Sequence, residues 1–157
     1  MNDTHVRQQL VNALTVQQAH MLFDDAVKDF PAEHYNTKPA NTPYSFWHLL
    51  EHIRITQWDI LDYIENSDYQ YRKFPDEYWA DPNSVTDGAG WQATIDQFHA
   101  DLNALIAIVR DPQRDLYAQI PHGQNGHTIL REINIIATHN AYHIGEFGIL
   151  RGVMDLW

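Results

Sequence analysis

The placement of proline constrains this chain more than any other feature. Seven prolines, Pro31, Pro39, Pro43, Pro75, Pro82, Pro112 and Pro121, fall in three zones. Inside a helix a proline removes one backbone hydrogen bond and collides with the preceding turn, so the zones separate four segments free of internal proline, each able to run as one helix. The first, about residues 4 to 30, carries Val6, Leu10, Ala13, Leu14, Met21, Ala26 and Phe30 at mixed three and four spacings. The second starts at about Pro43, a first-turn proline after Thr42, and ends at about Asn66, with Phe46, Leu49, Leu50, Ile53, Ile60, Leu61 and Ile64 on the helical period. In the third, Trp91, Ile95, Phe98, Leu102, Leu105 and Val109 alternate steps of four and three, a seam that wants partner helices. The fourth, about Gly126 to Val153, sets His139 and His143 among Ile129, Ile133, Ile136, Phe147 and Leu150.

Helices of about 24 residues are roughly 36 Å long, which suits an antiparallel bundle. A chain of 157 residues is expected to form one domain, residues 1 to 157. At that size about two-thirds of the unfolded surface is buried, enough for a core without staples. The connection over residues 67 to 86 is rich in Tyr, Asp and Pro and long for a bundle loop, so it is expected to wrap over an end or a site. Tyr69, Tyr71, Phe74, Tyr78 and Trp79 are the side chains expected to tie it down.

Ten Lys and Arg against 21 Asp and Glu give a net charge of −11, a sign that opposes neutralising phosphates or anionic lipid. Nucleic acid and membrane are therefore not expected partners. With no Cys the chain has no disulfide, no thiolate ligand and no cysteine nucleophile, and any thiol chemistry needs a thiol from outside. The opening stretch MNDTHVRQQL has no apolar core of a signal peptide, and the longest apolar run, Ala104 to Val109, is too short to cross a bilayer. These features predict a soluble, cytoplasmic protein.

The unusual count is ten His. Two pairs, His48 with His52 and His139 with His143, have the four-residue spacing that stacks side chains on one helix face. Roughly 0.6 such pairs are expected by chance at this composition, so position decides more than count. The stripe Ile136, His139, His143, Glu146 and Leu150 turns both imidazoles toward the interior, and His52 lies at the inner edge of its own apolar face. A third imidazole from a neighbouring helix would complete a facial set with open positions for water or substrate. The alternative is a pair of core histidines held by hydrogen bonds, and that reading is preferred for His48. His5, His20, His34, His99, His122 and His127 are assigned to surface or loop roles.

The string His48-Leu49-Leu50-Glu51-His52 matches the H-x-x-E-H pattern of inverted zinc peptidases, but those enzymes are far larger and use a downstream Glu ligand. A ferritin-like di-iron site is excluded, because no Glu is followed by His at the Glu-x-x-His spacing. Gly145, Gly148 and Gly152 interrupt the fourth helix at about 1 kcal/mol each, for which close helix packing, at a two-fold interface for example, and room beside a metal ligand are the two readings. Trp47, Trp58 and Trp157 are read as core, end-cap or interface aromatics, and Glu146, one turn from His143, as a group able to orient a ligand or a metal-bound water.

Two strings, TPYSFWHLLEHIRITQWDIL over residues 42 to 61 and GHTILREINIIATHNAYHIGEFGILRG over residues 126 to 152, carry a resemblance to the DinB-like superfamily of small helical metalloproteins. The order and spacing of elements match it across nearly the whole chain. The resemblance implies an all-α, four-helix bundle of up-down-down-up order, often a homodimer. It implies a divalent metal, zinc, nickel or iron, on His52, His139 and His143, and gives His48 no role. Characterised members are thiol-dependent S-transferases and isomerases using low-molecular-weight thiols such as bacillithiol or mycothiol. The expected function is thus metal-dependent thiol S-transfer to a small-molecule substrate. A metal-dependent hydrolase using the same site is the first alternative, and a non-catalytic metal- or ligand-binding module the second. Where many members have His-x-Gly-Gln, this chain has His143-Ile144-Gly145-Glu146, a change beside the ligand itself.

Overall fold

A computed structural model describes residues 3–157. Its described residues form five α-helices in chain order: α1 (Thr4–Thr15), α2 (Phe23–Val27), α3 (Phe46–Glu65), α4 (Gly88–Arg110) and α5 (Ile129–Val153). Single turns of 3₁₀ helix lie at Ala32–His34 and Asp76–Tyr78.

The helix starts follow side-chain chemistry. Ser45, not Thr42, caps α3: its hydroxyl accepts from the His48 backbone N–H at 3.2 Å, while the Ser45 N–H donates back to the His48 ring at 3.3 Å. This is a capping box with imidazole in the place of glutamate. Asp87 caps α4 through the Gly90 N–H, and Thr128 caps α5 through the Arg131 N–H.

The expected first helix over residues 4 to 30 is corrected. It ends at Thr15, where Val16 turns extended, and resumes as α2 only at Phe23. The step of seven from Leu14 to Met21 keeps one helical face and hides the break, and only the step of five from Met21 to Ala26 leaves that face. Breaking the chain there lets Phe23 stack on Phe98 with centroids 3.7 Å apart and Phe30 meet Phe46, Trp91 and Phe147 at 4.7 to 5.3 Å. Buried Arg151 of α5 fixes the detour by donating to the Ala26 and Lys28 carbonyls at 2.9 and 2.7 Å.

Side-chain bonds give the direction of each helix. Arg7, early in α1, donates to the Val109 and Asp111 carbonyls at the end of α4, so these two run oppositely. Thr94 meets Glu51 and Gln57 meets Phe98, so α3 and α4 run together. His52 faces His143 and Gln57 faces Asn140, so α5 runs against α3. The order is up, down, down, up, and α3 can run parallel to α4 only because residues 66 to 87 return along the bundle.

The core has two halves. Leu10, Val11, Ile60, Leu105, Val109, Ile133 and Ile136 pack an aliphatic end, and Phe23, Phe30, Phe46, Trp91, Phe98 and Phe147 an aromatic one. Truncating a side chain as buried as Phe147 typically costs about 3–5 kcal/mol. Near the waist of α3 and α5 stand the buried polar residues His52, Gln57 and Asn140.

Candidate metal centre

His52 is on α3, two turns beyond the Ser45 cap, and His139 and His143 are on successive turns of α5. Antiparallel pairing brings the three Nε2 atoms together, 3.2 Å between His52 and His143 and 3.1 Å between His52 and His139. Donors held about 2.0–2.1 Å from one ion on one face of its coordination sphere stand roughly 3 Å apart. Among the described residues this is the group of His, Asp or Glu whose ligand atoms gather within 4.8 Å.

The protons at this cluster are set by its outer partners. His52 Nδ1 lies 2.8 Å from the Tyr78 carbonyl, which only accepts, so Nδ1 carries the proton and Nε2 a lone pair. His143 Nδ1 lies 2.7 Å from the Glu146 carboxylate, which accepts its proton and turns Nε2 toward the other two imidazoles. With both rings neutral, two lone pairs face each other at 3.2 Å, an arrangement that a cation held between them relieves. His139 Nδ1 is buried and has no hydrogen-bond partner among the described residues. Burial, with His143 and His52 adding to it, pushes the His139 pKa down to about 4, and burial also lowers that of His52. Neutral imidazoles are what a metal requires, so the donor set fits a divalent ion.

The surrounding residues lock this geometry. Glu146 accepts from the Tyr44 hydroxyl through its second oxygen, and burial, followed by that bond, raises the Tyr44 pKa. Trp79 stacks on the His52 ring at 4.0 Å and 3°, and Tyr44 stacks on Trp79 at 4.9 Å. The connection over residues 67 to 86 thus wraps over the site, as its length predicts; Tyr71, half-exposed, packs on Tyr63 of α3 and on Tyr69 with centroids 6.0 and 5.1 Å apart, while Phe74 is mostly exposed. Beside it a cavity of about 720 Å³ is lined by Pro43, Tyr44, His48, Trp79, Ala80 and Pro82, among others.

His48 is held elsewhere. Its Nδ1 meets the Ser45 hydroxyl at 2.6 Å and its Nε2 the Asp81 carbonyl at 2.9 Å, so both ring nitrogens serve structure. Glu51 pairs with Arg54 and accepts from Thr94, which disposes of the peptidase reading of H-x-x-E-H. Of the helical glycines, a Cβ at Gly148 would meet Met21 Sδ at 2.9 Å, so close packing within the chain explains it. A Cβ at Gly145 would meet nothing within 4 Å.

Tyr44, Gln57 and Asn140 escaped the sequence reading. The signal was there for two of them: Gln57 and Asn140 sit where the apolar periods of α3 and α5 call for a hydrophobe. Gln57 Nε2 donates to the Phe98 carbonyl at 2.8 Å and Asn140 Nδ2 to Gln57 Oε1 at 3.0 Å, which fixes both amides.

An all-helical bundle with a three-imidazole group in its wall defines the class of protein. The sequence model of the DinB superfamily matches residues 15–147, and the chain belongs to that superfamily. No curated protein and no solved structure gives a significant match to the chain.

Proposed function

We propose that His52, His139 and His143 bind one divalent ion through Nε2 and that the protein is a metal-dependent enzyme of the thiol S-transferase type. The observation that carries the metal reading is the convergence of three imidazole Nε2 atoms, His52 lying 3.2 Å from His143 and 3.1 Å from His139. Zinc, nickel and iron all suit three imidazoles. When bound, the ion supplies Lewis acidity that lowers the pKa of a small external thiol, the one source of thiolate open to a chain without Cys.

The chain's own residues would orient and enclose. Glu146 and the Tyr78 carbonyl hold two ligands in the metal-binding tautomer, and Trp79 shields one face of His52. The adjoining cavity is of a size that takes a small organic substrate. Hydrolysis ranks second, because both oxygens of Glu146 are already engaged, by His143 and Tyr44, in holding the site rather than standing free as a general base. The superfamily's thiol chemistry supports the first reading.

Elemental analysis tests the site. Wild type is expected to hold about one ion per chain, and His52→Ala, His139→Ala and His143→Ala none; full metal in His139→Ala would overturn the assignment. Turnover of candidate electrophiles is then expected only with added thiol, whereas turnover without it would establish the hydrolase, and none at all the binding module. We further propose a homodimer formed through the exposed face of α5, where Ile135, Tyr142 and Ile149 recur every seven residues.

A further inference from the structure

The connection from α3 to α4 is fastened to α3 by residues the metal chemistry does not use. Asp59, on α3 two turns beyond His52, is buried, and burial raises its pKa. Its carboxylate is kept in place by the connection itself. Oδ2 accepts from the Tyr78 hydroxyl at 2.8 Å, and Oδ1 accepts from the Tyr69 hydroxyl at 2.9 Å and faces Arg72 Nε at 3.3 Å. Three polar side chains from an irregular segment thus converge on one buried acid. Such a cluster holds only if each member is satisfied, so it specifies one position for the segment.

Tyr78 is the residue that links this anchor to the imidazoles. Its hydroxyl is bound to Asp59, and its carbonyl, at the other end of the same residue, takes the Nδ1–H of His52 at 2.8 Å. The next residue, Trp79, lies flat on that imidazole, and two residues later the Asp81 carbonyl meets His48. A carbonyl in a loop orients a histidine only as well as the loop is held. Asp59 provides that hold.

We infer that Asp59 and Tyr78 are positioning residues for His52: the Asp59–Tyr78 hydrogen bond sets the carbonyl that fixes the His52 tautomer and ring orientation, and thereby the site's affinity for its ion. The inference rests on the metal reading of His52. A hydrogen-bond partner of a metal-ligating histidine commonly controls affinity by 10–100-fold, and one further step out the effect is expected near the lower bound, about tenfold.

The test is a zinc titration of the full-length chain carrying Tyr78→Phe, Tyr69→Phe, Asp59→Asn, or Asp59→Asn with Tyr78→Phe. Tyr78→Phe removes only the hydroxyl and keeps the carbonyl. Tyr69→Phe removes the other phenolic hydroxyl from the same carboxylate, on a residue whose backbone does not bond His52, and so reports loss of the anchor without loss of the Tyr78 hydroxyl itself. Tyr78→Phe and Asp59→Asn are each expected to raise the zinc Kd about tenfold, Tyr69→Phe less than twofold, and the double variant no more than either single change. Equal losses in the Tyr78 and Tyr69 variants, or an unchanged Kd in Tyr78→Phe, would overturn the inference.

A second readout needs no metal. In ¹⁵N-labelled, chelator-treated protein the His52 Nδ1–H resonance is expected to be protected from exchange in wild type and Tyr69→Phe and lost in Tyr78→Phe. If wild type takes up no zinc yet shows this pattern, the metal reading fails and the positioning of His52 stands. If zinc binds and the pattern is missing, the metal reading stands and the positioning role falls.

Discussion

Glu146 shows how one residue changes the character of a site. A carboxylate at that position accepts from His143 Nδ1 and from Tyr44 at once, binding α5 to the segment that precedes α3. An amide could serve the same geometry with less charge. Glu146→Gln is therefore expected to retain the fold and to raise the metal Kd by about 10–100-fold, measured by competition with a chromophoric chelator. His139 gives the pH dependence. Its folded pKa, about 4, lies below the ordinary 6.5, so between those values the unfolded chain binds more protons and stability rises with pH. Metal-free protein is expected to lose stability as pH falls from about 6.5 to about 4, and no more from this group below that. Asp59, whose folded pKa is raised, opposes the trend, contributing stability at low pH that is lost as pH rises through its folded value. Calorimetric Tm values of wild type and His139→Leu across that range isolate the histidine, because the variant is expected to flatten the slope. The three imidazoles themselves were legible in the sequence from their positions on apolar stripes. Tyr44 and the Tyr78 carbonyl were not, because they reach the site through irregular backbone and through a main-chain atom that carries no sequence signal.

At the scale of elements, the four long helices could be read from proline placement and apolar period, since both act within a few residues. The break between α1 and α2 could not, because its causes lie far along the chain. Arg151, 3% exposed, holds the far end of α2 in place: it donates to Ala26, Lys28 and Leu156 carbonyls and lies 4.2 Å from the Trp157 ring. A helix charge of this kind reads as solvated in sequence, yet here it satisfies carbonyls at and after the end of α2. Arg151→Met keeps much of the volume and removes all three donors. It is expected to destabilise the protein by about 2–5 kcal/mol, seen as a lower urea midpoint, through buried carbonyls left unpaired. Arg151→Lys is expected to recover only part of this, because an ammonium cannot span three acceptors in the fixed geometry of a guanidinium.

The bundle as a whole is asymmetric. One side of α5 carries the imidazoles and the core, while the other leaves Ile135, Tyr142, Ile149 and Val153 between 41% and 78% exposed. Ile135, Tyr142 and Ile149 recur at the coiled-coil interval, and Gly145, with open space where its Cβ would be, lies between Tyr142 and Ile149 along that face. A net charge of −11 works against two copies meeting, so the proposed dimer has to overcome long-range repulsion with short-range apolar contact. Salt screens the first and spares the second. Light scattering is accordingly expected to show a dimer whose dissociation constant falls as sodium chloride rises from about 0.05 to 0.5 M, and a monomer for Tyr142→Glu at every salt concentration. Gly145→Ala separates helix propensity from packing between copies. In a chain that stays monomeric it should stabilise α5 by about 0.5–1 kcal/mol, whereas in a dimer with helices in close approach the added methyl group should weaken association. A dimer untouched by Tyr142→Glu would place the contact on another face of the bundle, and a monomer at all salt concentrations would leave this stripe without a self-association role.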